Sequence, residues 1–338
     1  MNAASYLCEF FAAYFYPTNS EDWYKSKGYD GRDEKEQFSQ FLSSQAQAES
    51  LFYDEFKSLD LKRQFIQSGE YKLDSVLLTP QKKLTLAGNS EDLYFVFFQG
   101  RGEFYESRFR DMAIQARETG ASVLGFNPKG FKSSTGATKR LSDIVEDGIA
   151  VIEYLLNQMH LLPRQIVLQG NSLGGAVQEM VTENFMRLYG FSFRQINSNS
   201  FKTLAAVVAY HYRLPFLEKI IRLVLNYAEW EIAPGKDFYK TGPYRCYLCR
   251  LNDRTIPRGA EYSMNVDIES DCTECPSGYR ETNRWLYKNC QLVYNGNSET
   301  DPHFLSLHYF DLPGSEGESK HSVYKWINCY LEESGKYI

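Results

Sequence analysis

Arg164-Gln165-Ile166-Val167-Leu168-Gln169-Gly170-Asn171-Ser172-Leu173-Gly174-Gly175-Ala176 is the run on which the reading of this chain turns. A short apolar segment stops at Gly-x-Ser-x-Gly and continues with helical composition, the strand–turn–helix setting of a nucleophile elbow. The demand is steric. A serine held in a sharp, strained turn has chain passing close on both sides, so positions two before and two after it must lack bulk. Gly170 and Gly174 meet that demand, and Gly175 leaves room for the helix to approach the sheet. Such a turn lifts the Ser172 hydroxyl above the sheet edge. It also aims the Leu173 N–H, at a helix N-terminus, toward a negative oxygen beside it. Ser172 is the candidate nucleophile. A glycine-rich turn with an ordinary serine is the plainer alternative, and the flanking pattern weighs against it.

The segments on either side alternate between strand and helix. Leu93-Tyr94-Phe95-Val96-Phe97-Phe98 is an unbroken apolar run, as expected of a strand covered on both faces, and Ala121-Ser122-Val123-Leu124-Gly125-Phe126 is a second. Between them a helical stretch runs to about Thr119. Ile144, Ile149, Ile152 and Leu155 mark an amphipathic helix over about 141–159. Strand regions follow from Phe193, from Tyr244 to Leu251 and from Cys290 to Tyr294, with a closing helix from His321 to Leu331. This alternation predicts an α/β fold, a mostly parallel sheet with helices on both faces. Ser75 to Pro80 and Lys83 to Leu86 read as an early hairpin. Residues 1–70 carry aromatic and apolar groups at helical steps, among them Phe38, Phe41, Phe52, Phe56 and Leu59. They predict a helical extension packed on the core, with an aromatic lid or membrane-touching surface as the sharper alternative. The core domain then spans 71–338, with a cap-like helical insertion at about 205–240.

Bulk properties narrow the partners. The chain has 338 residues and a formal net charge of −6, so it offers no basic face for nucleic acid and no polybasic segment for anionic lipid. No stretch approaches the ~20 apolar residues that span a bilayer. The aromatic run from Ala3 to Tyr16 is interrupted by Glu9 and has no basic start, so no cleavable signal peptide is expected. Seven dispersed cysteines fit a reduced, cytoplasmic setting. Cys246-x-x-Cys249 and Cys272-x-x-Cys275 raise zinc, but residues three apart in a strand face opposite ways, so Cys246 and Cys249 would not share one ion. Neither metal nor cofactor is expected.

A serine nucleophile needs a base, an acid to orient it and donors for an oxyanion. In this arrangement the chain order is serine, acid, histidine, each at a strand end. The turn after the 93–98 strand offers Gly100 or Arg101 as the second N–H beside Leu173. Asp253 follows the 244–251 strand and is the candidate acid, with a purely turn-forming role as its competitor. Of five histidines, His303, His308 and His321 come after Asp253. His303 stands first and His308 second; His321 looks like a helix-start surface residue.

Several blocks in order carry a resemblance: Phe98-Gln99-Gly100-Arg101-Gly102-Glu103, Gly125 to Gly130, Gly170 to Gly175, Asn199-Ser200-Phe201 and Asn252-Asp253-Arg254-Thr255-Ile256-Pro257. Together they resemble the α/β-hydrolase fold. More narrowly, they are similar to the CHLPS-type proteins of chlamydiae and the SidB-like secreted effectors of Legionella. In that group a late histidine is followed four residues on by an apolar residue, which His303 and Leu307 match. Gln99, Asn199 and Phe304 depart from the group, which tends to have Asn, Arg and Asn there. The resemblance implies a serine hydrolase and raises delivery into a host cell by a secretion system. It implies no substrate; the ester or related acyl bond is what a serine nucleophile with such partners attacks. A lipase or phospholipase working at a membrane surface through the apolar 214–229 helix stays open, as does an inactive binding protein on the same fold.

Overall fold

The computed structural model describes residues 58–81, 92–233, 245–250, 253, 255–256, 260, 289–294, 324, 327–328 and 330–332. Among the described residues eight strands form one sheet: β1 (Leu59–Ser68), β2 (Tyr71–Pro80), β3 (Tyr94–Phe98), β4 (Ser122–Phe126), β5 (Ile166–Asn171), β6 (Arg194–Ser198), β7 (Arg245–Arg250) and β8 (Asn289–Tyr294). Their spatial order is β1-β2-β4-β3-β5-β6-β7-β8. The β1–β2 and β2–β4 pairs are antiparallel and all later pairs parallel. The helices are α1 (Phe109–Thr119), α2 (Leu141–Asn157), α3 (Leu173–Tyr189), α4 (Leu204–His211) and α5 (Glu218–Tyr227). Residues 324, 327–328 and 330–332 are helical too, where the sequence predicts the closing helix.

The unbroken apolar strands are explained by two cores, one on each sheet face. Val96, Phe98, Leu124 and Leu168 point to α2 and α3, meeting Ile152, Leu155, Val177 and Val181. Their neighbours Phe95, Phe97, Val123 and Val167 point to α1 and the C-terminal helical residues, meeting Phe109, Met112, Ile327 and Leu331. With period-two alternation, a strand buried on both sides must be apolar at every position. Each such fully buried side chain stabilises by about 1.5–3 kcal/mol.

The first domain boundary needs correcting. Residues 59–68, read from sequence as the end of a helical extension, form β1 and pair along their whole length with β2, from Leu59 opposite Pro80 to Ser68 opposite Tyr71. An edge strand with few buried positions shows no clean alternation, and Leu59 happens to continue a helical spacing set by Phe52 and Phe56. Arg63 fastens this edge, giving a bidentate pair to the buried Asp74 at 2.8 and 2.9 Å, on which the Tyr105 hydroxyl also donates. The rest of the extension (residues 1–57) and the second half of the expected hairpin, Lys83 to Leu86, lie outside the described residues. So do residues 234–240 of the insertion, whose described part is α4 and α5.

Beneath the elbow, α3 is tied to the sheet by polar groups. Arg245 of β7 and Glu179 of α3 are fully buried and 3.3 Å apart, and Arg245 Nε also donates to Gln195 at 3.0 Å. Asn197 Nδ2 donates to the Gly175 carbonyl at 3.1 Å. A buried ion pair of this kind fixes relative position more reliably than it adds stability. Cys246 is buried among apolar groups in β7, opposite Cys290 of β8. Among the described residues no His, Cys, Asp or Glu cluster is arranged to hold a metal; Cys272 and Cys275 lie outside them. No described helix is long and apolar enough to cross a membrane.

Candidate active site

Ser172 sits between β5 and α3 with φ 54° and ψ −119°, a backbone conformation that L-residues with a side chain avoid. The surroundings hold it there. Its N–H donates to the Ser198 carbonyl at 2.9 Å, and its own carbonyl accepts from Ser200 Oγ at 2.8 Å. The three glycines are where the steric argument requires them. A Cβ on Gly174 would lie 2.1 Å from the Phe98 carbonyl oxygen, and one on Gly170 2.5 Å from the Gly174 backbone. One on Gly175 would meet Asn197 Oδ1 at 2.6 Å and Ser200 Cβ at 2.7 Å. The α3 N-terminus follows directly, so the Leu173 N–H has no carbonyl one helical turn back to bond.

Strand register sets what stands beside the serine. Phe98 of β3 is opposite Gly170 of β5, so Gly100 and Ser172 leave adjacent strands at the same level. A Cβ on Gly100 would come within 3.4 Å of the Asn171 carbonyl. The Gly100 N–H is not turned toward an incoming oxygen, however; it donates to Glu103 Oε2 at 2.8 Å. This revises the expectation for Gly100. A carboxylate three residues on closes the turn onto itself, aided by the Glu103 N–H to the Gly100 carbonyl at 3.2 Å. The other Glu103 oxygen pairs with Arg108, which also reaches Asp111 at 3.0 Å. Arg101, the alternative donor, lies exposed on the same turn.

Asp253 comes to the same edge. Asn171 is opposite Ser198, and Ser198 opposite Leu248, so β5 and β6 end together, β7 runs two residues further, and Asp253 follows shortly after. Its Oδ1 accepts from the Thr255 N–H at 2.9 Å and the Ile256 N–H at 2.8 Å, which fixes the carboxylate's direction. The turn-forming role that competes with catalysis is therefore real, and it also holds the group in place. His303, His308 and His321 lie outside the described residues. Of the two described histidines, His160 follows α2 at the opposite edge of the sheet, and His211 ends α4 on the surface. Three participants carry no assignment from sequence: Ser200, Glu103 and the Glu179–Arg245 pair. The first two stand within the blocks that carry the resemblance; nothing local marks the third.

Behind the turn lies a buried acid. Burial pushes the Glu106 carboxyl up to about 7, against a hydrogen bond from Asn127 Nδ2 at 3.0 Å and with Asp74 adding to the rise. Lys132, itself lowered to about 8 by burial, is the cation whose charge opposes that rise. The folded carboxyl holds its proton more tightly than the unfolded one. The native state therefore binds more protons between about pH 4.5 and 7, and stability falls as pH rises through that window. Glu106→Gln is expected to remove this dependence and to stabilise at pH 8 by about 3 kcal/mol. Urea unfolding of both proteins at pH 5 and pH 8 checks it; equal pH slopes would contradict it.

Strand order, mixed edge and elbow define the α/β-hydrolase fold, and solved structures share it. A hyperthermophilic esterase from the archaeon Pyrobaculum calidifontis matches with a TM-score of 0.52 at 14% identity, over 93% of this chain and 97% of that one. An esterase/lipase from an uncultured bacterium matches with a TM-score of 0.51 at 12% identity, over 82% and 86%. At these identities the likeness is one of fold. Residues 25–239, more than half of the chain, match the family model described as Chlamydia CHLPS protein (DUF818). The chain belongs to that family.

Proposed function

We propose that the protein is a serine hydrolase that cleaves an ester or related acyl bond. The observation that carries this reading is the strained backbone of Ser172 at a strand-to-helix turn whose neighbours leave no room for side chains. Such strain is retained where it positions a reacting group. Ser172 Oγ attacks the acyl carbonyl carbon while His303 takes the hydroxyl proton. Asp253 orients His303 and stabilises its charged form. The N–H groups of Leu173 and Arg101 receive the oxyanion, each worth about 3 kcal/mol. Collapse of the tetrahedral adduct breaks the bond to the leaving group, which takes the proton from His303. Water then attacks the acyl-enzyme by the same route and frees Ser172. The cytoplasm, or a host cell entered through a secretion system, is the proposed place of action.

A chain-length series of aryl esters tests this reading. Turnover by the parent that falls about 10⁴-fold or more in His303→Ala and Asp253→Asn supports it. A folded parent with no turnover on any member favours a binding protein on the same fold. Glu103 gives a finer prediction. Its carboxylate sets the shape of the turn bearing the Arg101 N–H, so Glu103→Ala should lower kcat about tenfold or more with little change in KM. A KM change alone would place Glu103 in substrate binding instead.

A further inference from the structure

The connection between β6 and β7 carries a row of apolar side chains turned to solvent. Phe216 is 75% exposed, Ile220 58%, Leu223 70% and Tyr227 59%, on consecutive turns of the segment ending in α5, with Tyr212 exposed just before them. The inner face of α5 is already satisfied by Leu225, fully buried in the core with Ala228 beside it. The helix is thus apolar on both sides, and among the described residues its outer row stands exposed.

The exposed charges left unpaired beside this row are positive. Residues 202–227 contain Lys202, Arg213, Lys219 and Arg222 against the single acid Glu218, in a chain whose formal net charge is −6. Glu218 is spent on Arg222 at 2.7 Å, and the nearby Glu229 pairs with Arg140 at 3.3 Å. Arg213 and Lys219 stand exposed beside the apolar row. An apolar stripe with a cationic border and tyrosines at its ends has the chemistry of the boundary between lipid headgroups and acyl chains. Pairing two copies of this segment face to face would oppose like charges.

We infer that the α4–α5 segment docks the protein on an anionic phospholipid surface. The segment follows β6 on the edge where Ser200 bonds the Ser172 carbonyl, so the proposed docking element and the candidate nucleophile belong to one end of the sheet. Resting on the hydrolase reading, the substrate class becomes a lipid ester drawn from that surface; the docking itself does not depend on catalysis.

Sedimentation of the full chain with mixed phosphatidylserine–phosphatidylcholine vesicles, and with phosphatidylcholine alone, tests the inference. The parent should bind the anionic vesicles, and less as salt is added. Ile220→Ser with Leu223→Ser should weaken binding about a hundredfold, roughly tenfold for each apolar group. Arg213→Ala with Lys219→Ala should cost about fivefold per charge on anionic vesicles and nothing on neutral ones. All four positions are exposed, so melting should change little, and circular dichroism verifies that. A parent that ignores both vesicle types overturns the docking, whether residues 1–57, a second copy or nothing covers the row. An Ile220→Ser/Leu223→Ser protein that binds as well as the parent also overturns it. Fluorophosphonate labelling in vesicle-free buffer separates the two readings: a labelled protein that ignores vesicles defeats docking alone, and an unlabelled one that binds them defeats the hydrolase alone.

Discussion

Ser172→Gly is expected to unfold at higher urea than the parent, by about 1 kcal/mol, while losing about 10⁶-fold in ester turnover. The two effects share a cause. At φ 54° and ψ −119° a side chain is strained by about 1–3 kcal/mol, and glycine relieves that strain at some cost in unfolded-state entropy. Ser172→Ala is the control, because alanine keeps a Cβ in the same conformation and removes only the hydroxyl. It should match the parent in stability and the glycine variant in inactivity. Equal stabilities for the alanine and glycine variants would show that the turn stores no strain.

The second large effect is at Gly174. A Cβ there would sit 2.1 Å from the Phe98 carbonyl oxygen and 2.5 Å from the Gln99 carbonyl oxygen. Both obstacles are backbone at the end of a central strand, so no rotamer change relieves the contact. Gly174→Ala should destabilise by about 4 kcal/mol or more, through displacement of α3 from β3. Gly190 separates sterics from conformation. It has φ 73° at the end of α3, and a Cβ added there would meet nothing within 4 Å, so Gly190→Ala should cost only about 1–2 kcal/mol. Urea unfolding of both variants is the measurement, and comparable losses would contradict the crowding argument.

The parts legible in the sequence are those where a local pattern has a single physical cause. Val96 and Phe98 facing one core with Phe95 and Phe97 facing the other is what an uninterrupted apolar run predicts, and β3, β4 and β5 can be read on that basis. The glycines around Ser172 are legible because a close approach of backbones excludes every other residue. β1 escapes a sequence reading for the opposite reason: its partners lie on β2 and in the Arg63–Asp74 pair, so its own spacing says little. The Glu103 bond to the Gly100 N–H is hidden as well. A glycine-rich turn signals backbone proximity, but which N–H groups are already satisfied depends on a side chain whose direction sequence does not give. The Glu179–Arg245 pair joins residues 66 apart in the chain, beyond any periodic signal.

The most direct test of the account is the reaction of the folded full-length protein with a fluorophosphonate probe, followed by mass-spectrometric location of the adduct. A hydroxyl activated by imidazole and held on this turn attacks phosphorus and keeps the label, so the account predicts one adduct, on Ser172, absent from Ser172→Ala. A folded protein that takes no label, or takes it on another residue with Ser172 unmodified, would contradict the assignment of Ser172 as the nucleophile.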